Sequence, residues 1–198
     1  MKMLIGLTGK TGSGKSSAAK IFEKLGAFVV DCDKVAHEVL EHAEVKKALV
    51  REFSESILES DGTIGRKKLG KIVFSDPDKL SSLNRIMHSA IIDEALSMCY
   101  DSQKDICILD GSEIESSGVY KKCRYVVVIT ADEKIRLDRI MLRDGIDRKE
   151  ALTRIKAQKD YSKEAIVIEN NCNVLVLEKE IEQLYSKFSG EIDETFQK

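Results

Sequence analysis

The residues best suited to chemistry lie near the start of the chain, in the stretch Gly9-Lys10-Thr11-Gly12-Ser13-Gly14-Lys15-Ser16. This stretch follows an apolar run, precedes a helix-forming segment, and matches the pattern G-x-x-x-x-G-K-[ST], the P-loop. Glycines let the backbone turn through positive φ and bring its N–H groups round a polyphosphate, while the next helix points its N-terminus at the same charge. We expect Lys15 to reach the β- and γ-phosphates and Ser16 to bind Mg²⁺. A glycine-rich hairpin loop is the alternative interpretation.

Two aspartates, Asp31 and Asp33, follow the apolar residues Val29 and Val30. Ligands of an open parallel sheet bind at the carboxyl ends of its strands, so this pair should face the same crevice as the P-loop. A carboxylate there can orient an acceptor hydroxyl and take its proton, which typically contributes about 10² to 10⁴ in rate. Asp33 could instead be the N-cap of a helix beginning at Lys34.

Asp110 ends another apolar run, Ile106-Cys107-Ile108-Leu109. At a strand end, an acid can orient Mg²⁺ or a water molecule in phosphoryl transfer. The alternative is a simple strand-ending turn with Gly111.

Arginines recur at helical spacings between positions 132 and 158: Arg136, Arg139, Arg143, Arg148 and Arg154. In phosphoryl-transfer enzymes, a mobile segment of this kind closes over the nucleotide and shields it from water. A solvated, salt-bridged surface helix is the alternative for any one of them.

The histidines and cysteines give weaker signals. His37, His42 and His88 are dispersed, and from the residues alone we interpret them as ordinary helix residues. The cysteines are odd in number and widely spaced, which predicts reduced thiols and neither a disulfide framework nor a metal site. They are Cys32, Cys99, Cys107, Cys123 and Cys172.

Apolar runs rich in Val and Ile alternate with longer helical patterns, which predicts βαβ units and a parallel sheet covered on both faces. The predicted strands are 3–7, 28–31, 106–109, 125–129 and 165–168; the predicted helices are 15–25, 34–42, 45–53, 66–74, 77–100, 132–142, 148–158 and 178–188. The helical stretch between the second and third strands exceeds what a crossover requires. We therefore expect one domain with a helical subdomain at about 34–101 and a lid at about 132–158.

The chain of 198 residues carries a formal net charge of −2, from 32 basic and 34 acidic side chains. Such a balance gives no global field that would attract nucleic acid or an anionic membrane. The sequence contains no apolar run long enough to span a bilayer, and the P-loop strand begins at once, which leaves no room for a signal peptide. We expect a cytoplasmic protein without nucleic-acid or membrane partners.

Taken together, the chain resembles the dephospho-CoA kinase family, P-loop kinases that use ATP to phosphorylate the 3′-hydroxyl of the dephospho-CoA ribose, the last step of CoA biosynthesis. The resemblance covers almost the whole chain. It rests on Ile5-Gly6-Leu7-Thr8-Gly9 leading into the P-loop, Leu25-Gly26-Ala27, Asp31-Cys32-Asp33, Asp61-Gly62-Thr63-Ile64-Gly65-Arg66-Lys67-Lys68-Leu69, Ile72-Val73-Phe74, Leu83-Asn84-Arg85-Ile86-Met87-His88, Arg139-Ile140-Met141-Leu142-Arg143-Asp144-Gly145, Arg154-Ile155-Lys156-Ala157-Gln158 and Ile168-Glu169-Asn170-Asn171.

This resemblance implies an α/β P-loop kinase fold, in which a five-stranded parallel sheet is flanked by helices and carries a helical acceptor-binding subdomain and a helical lid. The implied cofactors are ATP and Mg²⁺, and the implied partner is the small-molecule substrate dephospho-CoA. Asp33 would be the general base, acting with Lys15 and Arg143. Nucleotide binding falls to Gly12, Ser13, Gly14, Lys15, Ser16, Ser17, Arg139, Arg143 and Asn170; substrate binding to Asp33, Arg66 and His88; and the metal to Ser16 and Asp110.

The sequence departs from the family in the region of the acceptor. Where the family has Pro-Leu-Leu-Phe-Glu after the third strand, this chain has Ser112-Glu113-Ile114-Glu115-Ser116, and the usual His-Pro pair is His88-Ser89. Two alternatives therefore stay open: a related small-molecule or nucleotide kinase with an altered acceptor pocket, and an ATP-binding regulator without acceptor chemistry. A GTPase is disfavoured because the chain has no N-K-x-D tetrad.

Overall fold

The structure is a computed structural model that describes residues 2–158 and 160–196. A five-stranded parallel sheet organises its fold. The strands are β1 (Met3–Gly9), β2 (Phe28–Asp31), β3 (Ile106–Asp110), β4 (Tyr125–Thr130) and β5 (Ile166–Glu169), in the order β2-β3-β1-β4-β5. β1 pairs in parallel with β3 and β4, and β4 pairs with β5. The continuous apolar runs of β1 and β3 suit strands that are covered on both faces. The predicted sheet is confirmed.

The helices that connect and follow the strands agree in number with the helical patterns, apart from one short helix after β3. They are α1 (Lys15–Lys24), α2 (Cys32–Glu38), α3 (Ala43–Phe53), α4 (Arg66–Val73), α5 (Pro77–Asp101), α6 (Ile114–Ser117), α7 (Glu133–Asp144), α8 (Arg148–Lys156) and α9 (Val174–Phe196). Within the described part of the chain, none of them is both long and apolar enough to cross a bilayer.

The chain divides into two compact units, one formed by the residues up to Val30 and from Cys99 onward, the other by Asp31–Met98. In the first unit the sheet packs against α1 and α9, and Phe22 and Phe188 are fully buried in this core. Burying one such side chain stabilises a fold by about 1.5–3 kcal/mol. This core keeps β1 fixed and, with it, the loop that follows.

Helix α9 begins earlier and ends later than the predicted range of 178–188. Its start is fixed by Asn173, whose side chain accepts the N–H groups of Leu175 and Val176 at 3.0 and 3.2 Å. Because Asn173 is an effective N-cap, the helix begins directly after it.

Helices α7 and α8 of the first unit form a helical pair with a small core of its own, made of Leu137, Ile140, Ala151 and Ile155. The turn between them is defined by two local signals. Gly145 ends α7 in the left-handed conformation, and the Asp147 carboxylate accepts the N–H of Glu150 at 2.8 Å to cap α8.

The second unit is helical and contains α2, α3, α4 and most of α5. Its first helix starts at Cys32 and ends at Glu38, where a 3₁₀ turn at Val39–Glu41 takes over, so the predicted helix of 34–42 was wrong at both ends. The cap is Asp31, whose carboxylate accepts the N–H of Lys34 at 3.0 Å. The alternative interpretation of Asp33 as the N-cap was therefore also wrong, because Asp33 lies inside the first turn.

Candidate phosphate-binding site

The P-loop joins β1 to α1 and takes the shape that its glycines permit. Gly12 has a φ of 79° and Gly14 a φ of 100°, both in the left-handed region where a side chain is strained. Gly14 is the N-cap of α1 and supplies no capping side chain. The first N–H groups of this helix therefore have no acceptor within it, and they carry the positive end of the helix dipole. Such an end binds anions.

Lys15 forms an ion pair with Asp110. The strand register explains the meeting, because Leu7 of β1 lies opposite Asp110 at the end of β3. Only 18% of the Lys15 side chain and 11% of the Asp110 side chain are exposed. The structure thus brings together the P-loop lysine and the acid that the sequence suggested for the metal. It places Ser16 and Ser17 in the exposed first turn of the same helix.

Asn170 contacts the P-loop directly. Its side-chain Nδ2 donates to the carbonyl of Ser13 at 2.7 Å, its backbone N–H donates to the carbonyl of Thr130 at 2.8 Å, and the residue is only 6% exposed. A Cβ at Gly14 would collide with the Asn170 amide, so this glycine is also required by packing. In this structure Asn170 holds the loop in shape.

Two arginines of α7 reach the loop. Arg139, which the sequence predicted, has Nη1 at 3.4 Å from the carbonyls of both Gly12 and Ser13. In the sequence, Arg136 is one of several arginines at helical spacings. In the structure its Nε donates to the carbonyl of Thr11 at 3.0 Å, and the residue is 6% exposed. The helical spacing predicted a shared face, but the sequence contains no signal for which turn of α7 meets the loop.

Arg143 lies one turn beyond Arg139 and pairs with its neighbour Asp144, through contacts of 2.6 and 2.9 Å. Asp144 also accepts a hydrogen bond from Arg154 at 2.7 Å. The Arg143 guanidinium holds the pKa of the Asp144 carboxyl below its ordinary range, and the same hydrogen bonds raise the pKa of Arg143. The catalytic role of Arg143 stays a prediction.

The rim of the loop is attached to the chain that follows α8. The N–H of Thr11 donates to Oε1 of Gln158 at 2.7 Å, and Lys10 forms an ion pair with Asp160. The bond to Gln158 and the bond from Arg136 together occupy both backbone polar groups of Thr11. Sequence reasoning missed Gln158 in this role, since its partner lies 147 positions away.

A cavity of about 910 Å³ lies beside the loop, within the first unit. It is lined by the start of the P-loop, the end of β4, Arg136, four residues of the 112–116 segment, and residues 157, 158 and 160–163. Glu115 accepts the N–H of Ser162 at 2.8 Å and lies 3.6 Å from Lys163 Nζ. The hydrogen bonds from Ser162 lower the pKa of Glu115. The 112–116 segment, where the sequence departs from the family, is thus a polar wall.

Three buried polar atoms have no hydrogen-bond partner among the residues that the structure describes: Ser13 Oγ, Arg136 Nη2 and Tyr161 OH. All three residues line this cavity. Folded proteins leave few buried polar atoms unpaired, so a group of them beside one cavity points to a polar ligand. Of the P-loop itself, Gly9, Lys10 and Ser13 line this cavity.

The remaining predicted site residues belong to the second unit. Asp33 is exposed on α2, and its backbone carbonyl accepts a hydrogen bond from Nδ1 of His37 at 2.7 Å. Arg66 is exposed at the start of α4, and His88 is half-buried on α5. Their roles stay predictions.

Comparisons with known proteins agree with one another. A family model described as dephospho-CoA kinase matches residues 3–175. Dephospho-CoA kinase of Fusobacterium nucleatum is 36% identical over 185 residues, which cover 91% of this chain and 96% of the relative.

Two solved structures match the fold over nearly their full length. TT1252 from Thermus thermophilus has a TM-score of 0.78 at 26% identity, covering 94% of this chain and 97% of its own. Dephospho-CoA kinase from Campylobacter jejuni has a TM-score of 0.65 at 25% identity, covering 96% and 99%. With the folded P-loop and the sheet around it, these matches identify the chain as a member of the dephospho-CoA kinase family.

Proposed function

We propose that this protein transfers the γ-phosphoryl group of ATP to the 3′-hydroxyl of dephospho-CoA and so forms coenzyme A and ADP. The observation that carries the proposal is the P-loop of a dephospho-CoA kinase family member, folded with positive φ at Gly12 and Gly14 and leading into the N-terminus of α1. Free N–H groups and nearby cations at that point suit a triphosphate.

The phosphate-binding roles fall to residues of the first unit. Lys15 exchanges its ion pair with Asp110 for the β- and γ-phosphates, and the loop N–H groups hold the same oxygens. Ser16 and Asp110 would hold Mg²⁺, since both offer the hard oxygen atoms that this ion prefers, and the bound ion would supply charge that neutralises the phosphates. Arg139 and Arg143 of α7 stabilise the charge of the transferring group.

The acceptor roles fall to the helical second unit. The Asp33 carboxylate is exposed and does not cap its helix, which leaves it available to a substrate hydroxyl. It orients the 3′-hydroxyl and takes its proton as the new bond to phosphorus forms. Arg66 and His88 bind the acceptor. In this assignment the subdomain at about 34–101 is the acceptor-binding part and the segment at about 132–158 is the lid.

The test is ADP release with and without dephospho-CoA. We expect release that depends on dephospho-CoA, and release that is equal with and without it would reject the proposed acceptor. A panel of other acceptors, added one at a time, then distinguishes a related kinase from a regulator that releases no ADP with any of them.

Two variants separate the roles. Lys15→Ala should lose activity, because phosphate binding and charge stabilisation both weaken. Asp33→Asn should keep its affinity for ATP and lose at least about 10² in turnover. The matched control is Asp31→Asn, since asparagine caps a helix as well as aspartate does and this variant should keep its turnover. An equal loss in Asp31→Asn and Asp33→Asn would argue against a general base at Asp33.

A further inference from the structure

Arg136 is a charged residue that the fold has placed where water scarcely reaches. It is 6% exposed, and its Nη2 is one of the buried atoms that find no hydrogen-bond partner among the described residues. Burial lowers the pKa of Arg136, but a guanidinium stays protonated at neutral pH. A buried cation with an unused donor is unfavourable in the free protein, so it needs a reason.

The arginine is held in a fixed position by its helix. Leu137 and Ile140 anchor α7 in its own small core. On the other side, Gly12 packs so closely that a Cβ there would lie 2.7 Å from the Arg136 carbonyl oxygen. The Nε bond to Thr11 at 3.0 Å then directs the guanidinium along the rim of the loop. The group is therefore preorganised beside the phosphate-binding residues.

The acidic groups around Arg136 do not neutralise it. Glu133 on the same helix and Asp160 in the chain after α8 act on its charge from a distance and favour the protonated form. Asp160 is paired with Lys10, and Glu133 is exposed. A phosphate in the cavity that Arg136 lines would give Nη2 the anionic acceptor that it lacks.

We propose that Arg136 is a fixed cation of the triphosphate site and that its Nη2, in the cavity beside the P-loop, donates to a phosphate oxygen of bound ATP. The proposal rests on the proposed function, because it requires that the P-loop binds a triphosphate. It adds a contact from the first turn of α7, which precedes Arg139 and Arg143 in the same helix. Arg136 thus binds phosphate and, through Thr11, holds the loop that binds it.

The experiment uses the full chain and inorganic tripolyphosphate as the probe, measured by calorimetry and by thermal unfolding. The variants are Arg136→Gln, Arg136→Lys and Lys15→Ala, with Lys134→Gln as the control that removes an exposed cation from the same helix. Losing a charged hydrogen bond to phosphate should weaken binding by Arg136→Gln about 10- to 100-fold. Arg136→Lys should bind more tightly than Arg136→Gln, and Lys134→Gln should bind like the unaltered protein.

The Tm measured without and with tripolyphosphate distinguishes a contact with the ligand from a contact that only stabilises the fold. Arg136→Gln and Arg136→Lys both lose the Nε bond to Thr11, so their Tm values without ligand should be alike, while the tripolyphosphate-induced rise in Tm should be smaller for Arg136→Gln. Equal affinity of Arg136→Gln and Lys134→Gln, or of Arg136→Gln and Arg136→Lys, would overturn the proposal and leave the proposed function intact. Failure of the unaltered protein to bind tripolyphosphate or ATP would reject the proposed function itself, and the Arg136 contact with it.

Discussion

Replacing Gly12 by alanine should destabilise this protein more than the same change at either of two other glycines with similar backbone angles. Gly12, Gly118 and Gly145 have φ values of 79°, 77° and 64°. An alanine in this left-handed region costs about 1–2 kcal/mol. Among the residues that the structure describes, nothing lies within 4 Å of a Cβ at Gly118 or Gly145, so these two variants should show only that backbone cost.

At Gly12 a second cost is added. The new Cβ would lie 2.7 Å from the carbonyl oxygen and 3.0 Å from the Cα of Arg136, and backbone atoms cannot swing aside as a side chain can. Forcing extra volume into a tight contact costs about 1–3 kcal/mol. The sum for Gly12→Ala is therefore about 2–5 kcal/mol, against about 1–2 kcal/mol for the two controls.

Calorimetric thermal unfolding of the three variants without ligand measures the difference. In a chain of this size, 1 kcal/mol shifts Tm by about 2–4 °C, so Gly12→Ala should unfold about 2–12 °C below Gly118→Ala and Gly145→Ala. All three variants should unfold below the unaltered protein. If Gly12→Ala unfolded at the same temperature as the controls, the close approach of α7 to the loop would be refuted.

Three further predictions concern other contacts of the first unit. Asn170→Ala leaves the carbonyl of Ser13 with the longer, 3.4 Å contact to Nη1 of Arg139, so the free energy of unfolding in urea should fall by about 0.5–1.5 kcal/mol; an unchanged urea midpoint would contradict this. Glu115 has a pKa below its ordinary 4.5, so the stability that it contributes is present above pH 4.5 and is lost as the pH falls through the lowered pKa. Urea titrations should therefore find Glu115→Gln less stable than the unaltered protein at pH 6 and equal to it in strong acid, and a gap that widened in acid would contradict this sign. Burial raises the pKa of Cys123 to about 12, so iodoacetamide at pH 8 should label the exposed Cys172 and spare Cys123 until urea is added, as mass spectrometry can show.

The strands and most helices could be predicted because their signals are local. Each apolar run of Val and Ile became a strand whose ends lie within two residues of the prediction, since the runs are bounded by polar or turn residues. Helix ends that depend on a capping side chain were harder. The patterns missed the caps at Asp31 and Asn173, and α2 and α9 consequently start earlier than predicted.

The candidate site was predicted only where its signals are local in the sequence. The P-loop is a local motif, and Asp110 was expected to matter because strand ends gather at one edge of a sheet. The contacts of Arg136 and Gln158 with Thr11 join positions 125 and 147 residues apart, and they depend on how the helical pair of α7 and α8 meets the loop. No local pattern specifies that geometry, since every turn of α7 carries an arginine of the same charge.

The central position of β1 has a consequence for biosynthesis. β1 is made long before its two neighbours in the sheet, which begin at Ile106 and Tyr125. At about 5–20 residues per second, a ribosome needs roughly 5–20 s to supply the first of them, and during that time an apolar strand has no partner. An apolar strand left unpaired in this way is prone to unwanted association until its neighbours have been made. The P-loop gains the supporting contact from Asn170 only after the 157 positions that separate Asn170 from Ser13 have been made.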